Sequence, residues 1–234
     1  MFAPLGVKVG GERLVETAER FGFNQPPGIP GAATSTIPAA EEIGGPLAVG
    51  ASAIGQGKVL ATPLEMASIA QTIAAGGERT PPTIVAAAAP PKPVRVTTGK
   101  VARQVEKMMI AVVKYGTGTA AAIDGVRVAG KTGTAEYYDA EAGRYSGRTA
   151  SFIGYAPADD PQIVVAVIVQ KPTYPFFGGY VAGPVFKDVT TYALQELKIP
   201  PTGAKPPKVT LRVSPEKALA DPTLLRDGRK RAGG

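Results

Sequence analysis

Apolar positions recur with helical spacing in four segments of the chain and run densely in a fifth. Over Gly11 to Phe21, Leu14, Ala18 and Phe21 share one face, and Gly22 supplies a stop. A second helix is predicted from Thr62. Threonine is a good N-cap, Pro63 suits the first helical position, and Glu65 completes a capping box. Its stripe is Met66, Ile69, Ala70 and Ile73, closed by Gly76-Gly77. A third helix runs from about Lys100 to Tyr115, with Val101, Val105, Met108, Met109 and Val112 inward and Gly116 as the stop. The fourth follows Pro184, with Val185, Val189, Tyr192 and Ala193 inward.

Three strands fall between the third and fourth helices: Val126 to Tyr137, Arg148 to Tyr155, and Ile163 to Val169. The last is wholly apolar, as expected of a strand covered on both faces. Short connections predict an antiparallel meander. The fold class is therefore α+β, an antiparallel sheet with helices packed on it. Glycine and proline cluster elsewhere. Residues 24–50 read as a long irregular segment, 80–98 as a loop or edge structure, and 200–208 as the start of a linker.

Composition narrows the chemistry. The 234 residues contain no cysteine and no histidine, which removes disulfides, cysteine nucleophiles, Ser-His-Asp triads and nearly all zinc sites. Acid–base work falls to Lys, Tyr, Asp or Glu. No apolar run approaches the length of a membrane span. The net charge is +7, but residues 201–234 hold eight basic against three acidic residues, so five of those charges lie there. The rest of the chain is nearly neutral and carries no nucleic-acid motif. The basic, proline-containing tail, 200–234, reads as solvated and disordered, and no nucleic-acid partner is expected.

The chemistry-bearing pattern is Gly130-Lys131-Thr132-Gly133-Thr134-Ala135 on the first strand. Alternation sets Thr132 and Thr134 on one face and Lys131 on the other. Two hydroxyls and an ammonium suit a carboxylate, and Gly133 lets a ligand backbone approach. Lys-Thr-Gly alone recurs by chance. Here it stands in a series: Ile54-Gly55-Gln56-Gly57, Ala61-Thr62-Pro63-Leu64-Glu65, Gly116-Thr117-Gly118-Thr119-Ala120, Ala150-Ser151-Phe152-Ile153-Gly154-Tyr155, and Phe177-Gly178-Gly179-Tyr180 through Phe186.

With these blocks in order, the chain resembles the transpeptidase domain of penicillin-binding proteins, most of all the monofunctional class B type that cross-links peptidoglycan. The resemblance runs from Phe2 to Ile199 and implies part of the penicillin-binding-protein/serine β-lactamase-like fold. It implies a serine D,D-transpeptidase that forms an acyl-enzyme on D-Ala-D-Ala stem peptides, is trapped by β-lactams, and needs no cofactor. It assigns Lys131 to the catalytic network and Thr132 and Thr134 to the substrate carboxylate. Gly133 gives the substrate room along the strand edge, and the Thr134 backbone N–H is an oxyanion donor. Divisome or elongasome proteins are the implied partners, and the outer face of the bacterial cell membrane the implied location.

The family's other two motifs are missing. The only asparagine is Asn24, so Ser-x-Asn does not occur. The one Ser-x-x-Lys, Ser214 to Lys217, contains Pro215 and falls in the tail, which argues against the required helix. Residues 1–199 are thus expected to be the C-terminal part of a transpeptidase domain in a longer protein. Partly exposed apolar surface and marginal stability are expected of it alone. A D,D-carboxypeptidase, a β-lactamase or a non-catalytic binding module of the same fold are the alternatives.

Other features carry plainer readings. Glu41-Glu42 and Asp159-Asp160 are adjacent acids that point apart, the latter in a turn. Gln56 positions its loop, and Met108-Met109 fills core. Tyr174 and Tyr180 pack against the last helix at least as readily as they line a site.

Overall fold

The computed structural model describes residues 2–85, 91–139 and 141–202. Of the linker and tail expected over 200–234, residues 203–234, with the Ser214–Lys217 match, lie outside the described residues.

Two helices open the chain, α1 (Phe2–Val9) and α2 (Gly11–Phe21), the second ending at Gly22 as its pattern requires. The segment read as irregular over 24–50 holds two short helices, α3 (Ala40–Ile43) and α4 (Pro46–Ser52). They are only four and seven residues long, so they carry little periodic signal. Helix α5 (Pro63–Ala74) starts as predicted, with Thr62 Oγ1 accepting from the Glu65 N–H at 3.1 Å. The other half of the capping box is not made. The Thr62 N–H donates to Ser35 Oγ at 2.9 Å, and the Glu65 side chain turns inward.

A two-residue ribbon follows, β1 (Glu78–Arg79) with β2 (Val94–Arg95), then α6 (Gly99–Tyr115), capped by Thr98. Its buried face is Ala102, Ile110 and Val113, with Val105 and Met109 packed beside them. Val101 and Met108 are exposed. The inward stripe is therefore rotated by about one residue from the predicted one, because the fully buried Ala102 lies on the packed face and hydrophobicity alone under-reads it.

The main sheet is the predicted antiparallel meander, β3 (Ala129–Asp139), β4 (Arg144–Ala156) and β5 (Ile163–Gln170), in that order. Register pairs Thr132 with Phe152 and Gly133 with Ser151. β5 is covered on both faces as expected, with Val165 and Val167 packing into one cluster and Val164 into another, yet it stays half-buried along its apolar length because it is a sheet edge among the described residues.

The last helix, α7 (Gly178–Glu196), begins six residues before Pro184, which lies inside it. Its buried residues are Gly178, Gly179, Ala182, Gly183, Phe186, Thr190 and Leu194, whereas Val185, Val189 and Tyr192, predicted inward, are exposed. Starting the helix at Pro184 hid the glycines of the first turn, which set the packed face. Phe152 and Phe186 meet at 4.7 Å between the sheet and α7. On the opposite face Ile153, Tyr155 and Val164 pack with Ile110 of α6 and with Ala70 and Ile73 of α5. A third cluster, Val15, Phe23, Ile37, Ile43 and Val49, holds α2 to α4 together, and Ile69 of α5 joins it. The chain is α+β, with α5 joining a helical lobe to the sheet.

Candidate active site

β3 has one open edge among the described residues, since β4 occupies only the other. The Lys-Thr-Gly pattern lies on this edge. Opposed residues in an antiparallel pair share a face, so Thr132 sits with Phe152 on the α7 face and Lys131 with Ile153 on the α6 face. The lysine does not stay there. Its ammonium wraps round the edge and donates to the Thr132 carbonyl at 2.7 Å, 3.5 Å from Thr132 Oγ1. Drawn back onto the strand, it loses water, and this desolvation lowers the Lys131 pKa from the ordinary 10.5.

Thr132 Oγ1 and Thr117 Oγ1 share a hydrogen bond of 2.7 Å. Thr117, in the turn after α6, is therefore a site residue to which the sequence reading gave no role. Its signal was the Gly116-to-Ala120 block. Thr134 Oγ1 accepts from the Gly178 N–H at 3.1 Å, which docks the first turn of α7 on the strand. That docking needs glycine: a Cβ on Gly178 would lie 2.3 Å from the Gly133 carbonyl oxygen, and one on Gly179 would lie 2.1 Å from that of Thr117. The positive end of a 19-residue helix thus abuts the two threonines.

Gly133 has a local reason to be glycine, because a Cβ there would fall 2.3 Å from Ser151 Oγ. Ser151 crowds the strand from β4 and is a second residue given no role from sequence. Further along the edge, the Glu136 N–H points to Gln56 Oε1 at 3.5 Å, away from β4. Main-chain groups two residues apart point the same way, so the N–H and C=O of Thr134 and Thr132 also face the open edge. The Lys131 contact to the Thr132 carbonyl agrees.

The surroundings are polar and aromatic. Glu136 pairs with Arg148 at 2.9 Å and Asp139 with Lys171 at 2.8 Å. The Lys171 hydrogen bond holds the Asp139 pKa below its ordinary value, and the same bond raises that of Lys171. Tyr174 is 85% exposed and meets Phe176 edge-on, so it does not pack against α7, and Tyr180 is exposed as well. Among the described residues no group of acids could hold a metal ion. No described helix is long and apolar enough to cross a membrane.

The arrangement can hold a terminal carboxylate with two hydroxyls and an ammonium. It also presents backbone donors to a peptide lying along the edge. Comparison with known proteins gives the same direction. Residues 1–191 match the model of the penicillin binding protein transpeptidase domain. Penicillin-binding protein PbpB of Mycolicibacterium smegmatis is 33% identical over 233 residues, covering 90% of this chain and 36% of that protein. The probable peptidoglycan D,D-transpeptidase PenA of Neisseria flavescens is 38% identical over 154 residues, covering 64% and 38%. Penicillin-binding protein 3 of Mycobacterium tuberculosis, solved with ampicillin, superposes with a TM-score of 0.80 at 28% identity, covering 91% of this chain and 52% of that one. The D,D-transpeptidase domain of a peptidoglycan glycosyltransferase from Eggerthella lenta gives 0.72 at 32% identity, covering 85% and 51%. The chain spans little more than a third of the length of these curated relatives.

Proposed function

The chain belongs to the penicillin-binding-protein transpeptidase family, and from that we propose that it carries the substrate-carboxylate half of a peptidoglycan D,D-transpeptidase site. In the proposed reaction a serine hydroxyl adds to the carbonyl of the penultimate D-Ala of a stem peptide. The terminal D-Ala leaves with a proton as the acyl-enzyme forms. An amine from a neighbouring stem peptide then takes the acyl group, and the serine regains its proton. β-Lactams enter the first step only.

The residues of this chain act on charge and position. Thr132 and Thr134 hold the terminal carboxylate, helped by the Lys131 ammonium and the N-terminus of α7. The Thr134 backbone N–H, on the open edge, serves the developing oxyanion. Lys131, with its pKa lowered, is suited to the proton network around the serine. No Ser-x-x-Lys occurs within residues 1–202, so the attacking serine belongs to a further element of the same domain. Cell-wall assembly outside the cytoplasmic membrane, alongside division or elongation proteins, completes the reading.

The observation that carries it is the open β3 edge, with Lys131 Nζ, Thr132 Oγ1 and Thr117 Oγ1 gathered within 3.5 Å of one another in sequence of contact. With no Ser-x-x-Lys in residues 1–202, the 234-residue chain is expected to bind N-acetyl-D-Ala-D-Ala reversibly and to gain no mass with benzylpenicillin. Calorimetry on the chain and on Lys131→Met tests this. Equal binding by both proteins would refute the assignment, and a covalent penicillin adduct would refute the placing of the nucleophile elsewhere.

A further inference from the structure

The open edge of β3 is not open along its whole length. Gln56 closes it two residues past Thr134, where its side-chain carbonyl meets the Glu136 N–H at 3.5 Å across 80 residues of sequence. The loop that presents it is tightly wound. The Gln56 N–H donates to the Ala51 carbonyl at 3.0 Å and the Gly55 N–H to Ser52 at 3.0 Å. Gly55 and Gly57, on either side, have φ of +74° and +73°, a conformation that favours glycine. The backbone at Gln56 is thus pinned, and the side chain is the part free to move. Glu136 is held from the other side by the β3–β4 ladder, paired with Arg148, which also takes its carboxylate at 2.9 Å, so its N–H stays aimed at the edge.

We infer that Gln56 is a displaceable plug on the β3 edge and sets how many residues of a peptide the site reads. The inference rests on the reading above, in which the terminal carboxylate sits at Thr132 and Thr134. An antiparallel partner anchored there, counted back from its C-terminus, runs from Thr132 toward Glu136. A dipeptide ends before Glu136. A pentapeptide reaches its N–H, which must first leave Gln56. A bond of 3.5 Å is long for N–H···O and is easily exchanged for a better one. Gln56 is accordingly a positioning and length-specificity residue rather than a catalytic one.

The test uses the full 234-residue chain, with N-acetyl-D-Ala-D-Ala and an acetylated pentapeptide ending in Lys-D-Ala-D-Ala as probes. In Gln56→Ala the pentapeptide should bind about two- to tenfold more tightly while the dipeptide is unchanged, the size expected for one exchanged hydrogen bond. In Gln56→Glu, whose carboxylate is a stronger acceptor, the pentapeptide-to-dipeptide affinity ratio should fall. A role confined to loop stability would alter melting but not that ratio. Without peptide, the Glu136 amide should exchange with solvent faster in Gln56→Ala than in Gln56→Glu. An unchanged ratio in both variants, with the Thr134 amide still responding to both peptides, overturns the plug and leaves the carboxylate reading standing. Loss of any response at Thr132 and Thr134 overturns both.

Discussion

The β3 edge and the α1–α4 lobe are both exposed, for opposite reasons. At the edge, exposed groups are polar and already engaged: Lys131 with Thr132, Thr132 with Thr117, Thr134 with Gly178, Glu136 with Arg148. In the lobe, exposed groups are apolar. Leu47 is 89% exposed, Phe2, Leu5 and Ile54 are more than half exposed, and α1 and α4 enclose an apolar groove of about 500 Å³ lined by Val7, Leu47 and Ile54 among others. The sheet is braced on both faces by Phe152–Phe186 and by Tyr155 with Ile110, so the edge rests on a packed layer. The lobe has one small cluster around Val15 and Ile43. A site needs rigid support more than it needs a complete surface, and this chain has the support beneath the proposed site. The expected exposure of apolar surface falls on the α1–α4 lobe and on Val185, Val189 and Tyr192 of α7.

The largest contrast should come from the core. Phe152→Ala empties the space between the sheet and α7 and is expected to cost about 3–5 kcal/mol, read as a drop in denaturant midpoint. Peptide binding should go with it. Next is Gly179→Ala, whose methyl would press on the Thr117 carbonyl from 2.1 Å. Displacing the first turn of α7 should cost about 1–3 kcal/mol and weaken binding at Thr132 while leaving the α1–α4 lobe unchanged by hydrogen exchange.

A smaller effect concerns Glu65, which joins the two regions through α5. It is 2% exposed, and its carboxylate faces the Arg79 guanidinium at 3.5 Å. Burial raises its pKa from 4.5, more than the nearby arginine lowers it. A carboxyl whose folded pKa is raised binds protons more readily in the folded chain, so it contributes a penalty that builds as pH rises from the unfolded pKa to the raised folded one and is constant above it. Below about 4.5 the penalty is absent. Wild type should therefore gain stability relative to Glu65→Gln as pH falls from neutral to about 4.5. Parallel unfolding midpoints for the two proteins across that range would count against it. The smallest effect is Leu47→Ser. It should shift stability by no more than about 0.5 kcal/mol while slowing aggregation, measured by light scattering.

Much of the sheet and its site could be read from sequence because each signal was local and redundant. Short connections gave the meander, Thr62-Pro63 gave the start of α5, and Lys131 to Thr134 stood among ordered neighbouring blocks. What escaped depended on contacts distant in sequence. The direction of Glu65 is set by Arg79 and by Ser35, which takes the donor its carboxylate would have capped. The face of α7 is set by Gly178 and Gly179 against β3, and not by its larger residues. Thr117 and Ser151 join the site only when strands and turns are brought together. Short helices α3 and α4 offered too few turns to show a period.

The central claim, that this strand edge recognises a terminal carboxylate, is tested most directly by amide chemical-shift mapping of the 234-residue chain with N-acetyl-D-Ala-D-Ala. The account predicts saturable shifts centred on Lys131 to Thr134 and Gly178, with Val7 and Leu47 silent. Shifts centred on the α1–α4 groove, or none on β3 at saturating peptide, would contradict it.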